Sequence, residues 1–253
     1  DFADYPPHFW IEEDQDQYFI CGTEKAAQQA LALGHPGSRV IRTSGMILRP
    51  EFYGDWASDK RSARIELGLA PDRATGLVLF GGYGSPGMKE ITHRIAATGK
   101  AVQLILICGR NEKLKKTLES TPFDIPVHVE GFTNEIPRFM AMADFFIGKP
   151  GPGSVSEALV MNLPVIVERN AWTLPQERYN ADWVQEKGVG LVVKNFREIG
   201  DVVERLLADL KEYQARAKAL QNYAVFEIPD ILDRILAKHT PAAVRPGAIR
   251  RRA

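Results

Sequence analysis

The sequence lacks an excess of charge of either sign. Among its 253 residues, 32 lysines and arginines balance 32 aspartates and glutamates, so the formal net charge is zero. Proteins that hold nucleic acid through its phosphate backbone usually carry a clear positive excess. The composition therefore argues against a nucleic-acid partner, and we expect none.

Long apolar runs are also missing. No run approaches the roughly 20 residues that a helix needs to cross a bilayer, and no signal peptide is visible. The one stretch of one-sided charge is the arginine-rich segment 245–252. It favours the interpretation of a frayed terminus, with a weak peripheral membrane contact as the alternative. Because the chain opens at Asp1 without an initiator Met, we expect further residues upstream.

Cysteine is scarce. The only two, Cys21 and Cys108, both lie inside apolar runs. Two cysteines so placed do not suggest a disulfide framework, and they favour buried thiols in a reducing compartment. We therefore expect a cytoplasmic location, with membrane association on the cytoplasmic face as an extension of it.

The sequence does contain a regular alternation of short apolar runs with longer amphipathic ones, which is typical of an α/β parallel sheet. From about Asp72 onward, roughly six strands alternate with helices in a doubly wound, Rossmann-like pattern. The preceding residues are too few for a second such domain. We predict that residues 1–71 are the end of an N-terminal domain and its linker. Residues 72–253 then form a nucleotide-binding domain that ends in C-terminal helices.

Amphipathic runs predict helices at 59–67, 154–162, 176–187, 199–219 and 229–237. On the first of these, the side chains of Arg61, Arg64 and Glu66 are expected to face solvent.

A glycine-rich segment directly follows the first strand of the predicted domain. Gly82, Tyr83 and Gly84 lie in it, shortly before a helix. Glycines let the backbone approach a ligand closely, and the following helix can offer free N–H groups to an anion. The motif is not GxGxxG, and no acidic residue stands at the ribose position after the next strand, which disfavours NAD. A tight strand-to-helix turn is the alternative interpretation.

The segment GKPGPGSVSE at 148–157 follows another strand and opens the predicted helix 154–162. Its turn, formed by Gly151, Pro152, Gly153 and Ser154, would place backbone N–H groups and a helix dipole against a pyrophosphate. Glu157 would then lie in the first helical turn, where a carboxylate can accept two hydrogen bonds from the diol of a ribose.

A capping box is the competing interpretation of the same residues. Ser154 as the N-cap and Glu157 three residues later fit that motif and need no ligand. The local sequence alone favours the capping box. Lys149 is similarly open, since it could touch a phosphate or be a solvated side chain.

Two further segments complete the pattern. Gln176 and Glu177 begin a helix, where an amide and a carboxylate can bracket sugar hydroxyls, although an acidic first turn on a helix dipole is the alternative. Gly131 and Phe132 follow the third strand of the domain. Because all four segments fall at the carboxyl ends of different predicted strands, one crevice could contain them.

The order FGGYGS, GFTNEIPRFMAMADFFIGKPGPGSVSEAL, LPVIV and PQERYNADWV resembles the C-terminal domain of family 28 glycosyltransferases. That family includes monogalactosyldiacylglycerol synthases and processive diacylglycerol glucosyltransferases. The resemblance covers roughly residues 76–195 and implies the C-terminal half of a two-domain GT-B architecture. It also implies a UDP-sugar donor and no metal or other cofactor.

The resemblance further implies roles for the segments above. Glu157 would bind the ribose of UDP, and the 151–154 turn would bind its pyrophosphate. Gln176 and Glu177 would face the donor sugar, and Asn180 is expected among the donor-binding residues. The strand end at 131–132 would contact uracil through its backbone.

The acceptor side is mostly missing from this sequence. The segment DFADYPPHFW resembles the family's acceptor-side stretch, and Asp1 or His8 could activate the acceptor. A separate or missing N-terminal acceptor domain is therefore expected as a partner.

These expectations converge on transfer of a hexose from a UDP-sugar to an acceptor hydroxyl, with a lipid such as diacylglycerol as the family-level acceptor. A UDP-GlcNAc 2-epimerase-like enzyme is one alternative. A non-catalytic UDP-sugar-binding subunit, paired with a separate acceptor-binding chain, is another.

Overall fold

The computed structural model describes residues 2–56 and 59–239. Its N-terminal part is a small β–α–β unit, with strands β1 (Phe19–Cys21) and β2 (Val40–Arg42) paired in parallel and helix α1 (Glu24–Ala32) between them. The side chain of Thr23 caps α1 by accepting a hydrogen bond from the N–H of Ala26. The predicted domain boundary at residues 71 and 72 stays a prediction.

The larger sheet contains six parallel strands. They are β3 (Ala74–Leu79), β4 (Val102–Ile107), β5 (Val127–Glu130), β6 (Phe145–Gly148), β7 (Val165–Glu168) and β8 (Gly190–Val193). Their order across the sheet is β5-β4-β3-β6-β7-β8. In such a sheet the winding reverses between the first and fourth strands, here β3 and β6, and ligands bind in the crevice beside that switch point. The predicted doubly wound fold is confirmed.

Nine more helices accompany the strands in the described residues. They are α2 (Lys60–Glu66), α3 (Gly87–Ala96), α4 (Glu112–Glu119), α5 (Ile136–Met142), α6 (Pro152–Val160), α7 (Arg178–Lys187), α8 (Ile199–Ala208), α9 (Leu210–Ala219) and α10 (Ala224–His239).

The central strands are buried on both faces. Every residue of β4 is buried, and the neighbouring Phe145 and Phe146 of β6 belong to the cores on opposite sides of the sheet. The ring of Phe145 lies across β3, where a Cβ on Gly76 would come within 2.6 Å of it. Helices on both faces therefore cover the sheet, as continuous apolar strands require.

Three helix predictions need correction. Helix α6 begins at Pro152 rather than at Ser154, because proline suits the first helical position. The predicted helix 199–219 is two helices, since the backbone of Asp209 leaves the helical region between α8 and α9. The predicted helix 229–237 starts earlier, at Ala224, and runs through Pro229.

Arg64 is buried, with 4% of its surface exposed, so its predicted exposure is wrong. Its guanidinium donates to the carbonyls of Met142 and Pro71 and forms an ion pair with Asp144 at 2.7 Å. Lys60 pairs with the same carboxylate. This buried network fastens α2 to the start of β6, and the ion pair makes the buried charge tolerable.

The cysteines behave as predicted. Cys21 and Cys108 are buried free thiols, and burial raises the pKa of each to about 11. No helix between residues 2 and 239, the masked pair 57–58 aside, is both long and apolar enough to cross a membrane. The segment 245–252 and Asp1 lie outside the described residues.

Candidate functional site

A cleft opens at the carboxyl edge of the large sheet, beside the switch point between β3 and β6. Its volume is about 440 Å³. The residues that line it come from the loops after four strands and from the start of α3: Phe80, Ser85, Gly87, Glu90, Ile91, Lys149, Pro150, Glu168, Trp172, Thr173, Leu174, Glu177, Phe196 and Arg197. Helices α3 and α6 both begin at this edge.

The entrance to α6 can accept an anion. The first helical bond runs from the N–H of Val155 to the carbonyl of Gly151, at 3.0 Å. Within the described part of the chain, the N–H groups of Gly153 and Ser154 donate to no other group. A Cβ on Gly153 would meet no atom within 4 Å, so the turn is open. Free amides at a helix N-terminus are a favourable site for phosphate oxygens.

Glu157 lies in the second turn of α6, not in the first. Gly151 is the N-cap residue and has no side chain to cap the helix, so the capping box of Ser154 and Glu157 is wrong. Among residues 2–56 and 59–239, no group donates a hydrogen bond to the Glu157 carboxylate and no cation forms an ion pair with it. A half-buried carboxylate in the second turn of α6 is thus available to accept hydrogen bonds from hydroxyl groups.

The environment of Glu157 disfavours its ionised form. Burial raises the pKa of its carboxyl, and the positive charge of Arg49 partly offsets this effect. Arg49 comes from the segment after β2 and therefore brings a cation from the N-terminal part toward α6. Sequence reasoning missed it, because a single arginine in an irregular loop carries no recognisable signal.

Glu157→Gln is expected to stabilise the unliganded protein at neutral pH. In the unfolded chain the carboxyl keeps its ordinary pKa, about 4.3. In the folded protein the pKa is raised, so ionisation costs stability above the unfolded pKa, and the cost is complete once the pH exceeds the folded pKa. That cost shrinks as the pH falls through the folded pKa and is absent below the unfolded one. Thermal unfolding between about pH 4 and pH 8 should show a higher Tm for the variant at pH 7, with the advantage fading in acid. An advantage independent of pH would contradict this origin.

The glycine-rich loop after β3 is held against the loop after β4. The carbonyl of Gly82 accepts from the N–H of Arg110 at 2.8 Å. Gly109 has φ of 58° there, and a Cβ on it would lie 2.2 Å from that same carbonyl oxygen. Gly84 also has a positive φ, of 60°, and Tyr83 is exposed. The loop is thus fixed in place while its outer side stays open.

The strand end at Gly131 and Phe132 directly follows β5. The N–H of Gly131 already donates to the Glu130 carboxylate at 2.8 Å. The Phe132 ring is exposed, and the Arg110 guanidinium stacks over it at 4.7 Å from the ring centroid. This strand end exposes a planar aromatic surface, and the predicted ligand contact through its backbone stays a prediction.

Glu177 and Gln176 share a 3-10 turn (Pro175–Glu177) just before α7. Glu177 lines the cleft, and its carboxylate approaches the α6 entrance, since a Cβ on Gly151 would lie 3.6 Å from it. Burial raises the pKa of Glu177, and the charge of Lys149 opposes the shift. Gln176 is half-buried beside the cleft-lining residues and is not one of them.

Asn180 is fully buried, so it does not present its amide to the cleft as predicted. Its Nδ2 donates to the carbonyl of Pro150 at 2.8 Å, and its Oδ1 accepts from the N–H of Phe2 at 3.1 Å. The side chain therefore positions the turn that leads into α6 and fastens it to the N-terminal segment.

His8 is exposed and has φ of 64°. Its backbone N–H donates to Asp4, which is buried and also accepts from the N–H of Trp10. Asp4 thus shapes the segment that presents His8, and sequence reasoning missed it. The catalytic roles of His8 and Asp1 stay predictions, and the latter residue lies outside the described range.

Metal ligands were not predicted. Over residues 2–56 and 59–239, no three His, Cys, Asp or Glu side chains are grouped so that they could hold a metal ion.

Comparison with known proteins places this site in a family context. The model of the glycosyltransferase family 28 C-terminal domain matches residues 84–235. A probable monogalactosyldiacylglycerol synthase 2, chloroplastic, from Oryza sativa subsp. japonica is 33% identical over 220 residues, which cover 82% of this chain and 46% of that protein. Monogalactosyldiacylglycerol synthase 1, chloroplastic, from Arabidopsis thaliana is 35% identical over 191 residues, covering 72% and 35%. The chain therefore spans less than half the length of these relatives.

Solved structures show the same fold at low sequence identity. S. aureus MnaA with UDP has a TM-score of 0.64 at 18% identity, over 91% of this chain and 63% of that one. Anabaena Alr3699/HepE with UDP-glucose has a TM-score of 0.57 at 16% identity, over 88% and 64%. These likenesses confirm the predicted C-terminal half of a GT-B architecture.

Proposed function

The chain belongs to the family of the glycosyltransferase family 28 C-terminal domain, and we propose that it is the donor-binding part of a glycosyltransferase. The complete enzyme would transfer a hexose from a UDP-sugar to a hydroxyl group of a lipid. The open α6 entrance carries this proposal, together with the Glu157 carboxylate, to which no group in the described part of the chain donates a hydrogen bond. The N–H groups of Gly153 and Ser154 can donate hydrogen bonds to a diphosphate, and the Glu157 carboxylate can accept them from the two hydroxyls of a ribose.

The similar proteins support both the proposed lipid acceptor and the proposed UDP-sugar donor. Two of them are named as monogalactosyldiacylglycerol synthases, which points to a diacylglycerol-type acceptor. Two proteins of the same fold have been solved with UDP or UDP-glucose. The Phe132 ring, with Arg110 over it, is the surface proposed for uracil.

In the proposed reaction an acceptor oxygen attacks C1 of the donor sugar. The bond between C1 and the acceptor oxygen forms, the bond between C1 and the diphosphate oxygen breaks, and UDP leaves. Negative charge grows on the diphosphate, where the amides of Gly153 and Ser154 and the dipole of α6 stabilise it. The proton of the hydroxyl passes to a base on the acceptor side, a role proposed for His8 or Asp1.

The proposed mechanism needs no metal or other cofactor, because amides and a helix dipole neutralise the leaving group. Action on a lipid would bring the site to a membrane surface. The predicted cytoplasmic location stays a prediction, and the relatives carry names that place them in chloroplasts.

Calorimetric titration of the chain with UDP and with ADP tests the proposal. Because two proteins of the same fold were solved with UDP or UDP-glucose, we expect UDP to bind at least about tenfold more tightly than ADP, which corresponds to about 1.4 kcal/mol. A chain that binds neither nucleotide, or both equally, would rule out a uridine-specific donor site.

A further inference from the structure

The loop between β7 and the turn before α7, residues 169–174, displays apolar side chains to solvent. Trp172 at its tip is 92% exposed and Leu174 is 53% exposed, and both line the cleft. Most large aromatic side chains bury much of their surface. An indole held almost wholly in water at the mouth of a cleft, beside a second exposed apolar side chain, therefore indicates a binding surface.

The backbone of this loop is hydrogen-bonded on both sides of Trp172. The side chain of Asn170 accepts from the N–H of Trp172 at 2.8 Å. Arg178 donates to the carbonyls of Thr173 and Ala171 at 3.2 and 3.1 Å. Because these bonds hold the backbone on both sides of Trp172, little backbone entropy is lost when a ligand packs on the indole.

The acidic side chains that line the cleft together with Trp172 indicate which ligands it can bind. Glu168 and Glu177 line the same cleft, both half-buried. Burial raises the pKa of Glu168, while the Asn170 side chain and the Phe196 N–H favour its ionised form. Carboxylates repel a phosphate and accept hydrogen bonds from hydroxyl groups. The end of the cleft beside Glu168 thus suits a neutral polyol, and the α6 entrance, where the charge of Lys149 offsets that of Glu177, suits the anion.

A hexose combines the two properties that this surface needs. Its hydroxyl groups can donate to carboxylates, and the C–H groups on one face of its ring form an apolar patch that packs on an aromatic surface. We infer that Trp172 is a stacking surface for the hexose of the nucleotide-sugar donor, with Glu168 as an acceptor for its hydroxyl groups. This inference rests on the proposed function, since it assumes that UDP occupies the adjacent anion site.

Calorimetry with UDP, UDP-glucose and UDP-galactose tests the inference on the native chain and on Trp172→Ala and Trp172→Phe. Trp172→Ala should weaken the better-bound nucleotide sugar roughly 3- to 10-fold and leave UDP unchanged. Trp172→Phe should recover part of the loss, because it keeps an aromatic face. Ile65→Ala is the control, since Ile65 is an exposed apolar side chain on α2, away from the residues that line the cleft.

The outcomes separate the inference from the proposed function. If the native chain binds no uridine nucleotide, the proposed function fails first. If UDP binds but Trp172→Ala holds the nucleotide sugars as tightly as the native chain, the stacking surface is wrong and the donor site stands. Equal weakening of UDP and UDP-hexose would also overturn the inference, because the indole would then act on the nucleotide. Unchanged Tm values for the variants exclude an effect of folding.

Discussion

Replacing Glu157 by alanine is expected to weaken UDP binding about 10- to 100-fold. A hydrogen bond to a charged group contributes about 1.5–3 kcal/mol, and the carboxylate is proposed to accept from both hydroxyls of the ribose. Within the described chain it has no other hydrogen-bond donor to occupy it. Titration calorimetry of the native and variant chains with UDP measures the loss directly.

Comparing UDP with 2′-deoxy-UDP tests whether Glu157 contacts the ribose 2′-hydroxyl. The native chain should bind UDP more tightly than 2′-deoxy-UDP, and this difference should disappear in Glu157→Ala, because a double-mutant cycle isolates a direct pair. Glu204→Ala on α8, where the carboxylate is 41% exposed, is the control and should bind both ligands like the native chain. A difference between the two ligands that persists in Glu157→Ala would mean that another group holds the ribose.

Replacing Asp144 by alanine is expected to cost about 3–5 kcal/mol of the free energy of unfolding. Its carboxylate accepts from Arg64 and Lys60 and from the N–H of Thr75. Arg64 is 5% exposed, so its charge would remain buried without a partner. In a chain of this size each kcal/mol corresponds to about 2–4 °C in Tm. Thermal and urea unfolding measure the effect.

A second ion pair of helix α2 provides the control. Arg61 pairs with Asp72, but both side chains are about two-thirds exposed, at 66% and 67%. Asp72→Ala should therefore cost less than about 1 kcal/mol, as exposed ion pairs do. Equal losses from Asp72→Ala and Asp144→Ala would show that burial of the pair around Asp144 does not determine its contribution.

Much of the sheet could be predicted from the sequence. Apolar runs such as 102–107 are long enough to identify strands, and the amphipathic runs between them require parallel crossovers. The carboxyl-edge position of the GPGSVSE segment followed from the same alternation. The predicted roles of Gly151 and Glu157 depend on this placement, which the structure confirms at the level of the fold.

Side-chain partners at long range could not be predicted. The burial of Arg64 depends on carbonyls more than 70 residues away, at Met142, and on Asp144. The amide of Asn180 is used by Phe2, 178 residues earlier. Neither partner is visible in a local pattern, so the sequence predicted that Arg64 faces solvent and that Asn180 belongs to the donor site.

The prediction of where α6 starts was wrong for a local reason. A serine followed three residues later by glutamate matches a capping box, while Pro152 at the first helical position gives an equally good start two residues earlier. Because the helix begins at Pro152, Glu157 moves into the second turn and its carboxylate is not consumed by a cap.

A crystal structure of the chain soaked with UDP is the most direct measurement of the central claim. The diphosphate should lie with its oxygens about 2.7–3.2 Å from the N–H groups of Gly153 and Ser154. The ribose hydroxyls should then meet the Glu157 carboxylate, with the base against Phe132. UDP bound away from the start of α6, or bound there with Glu157 turned from the ribose, would contradict the account.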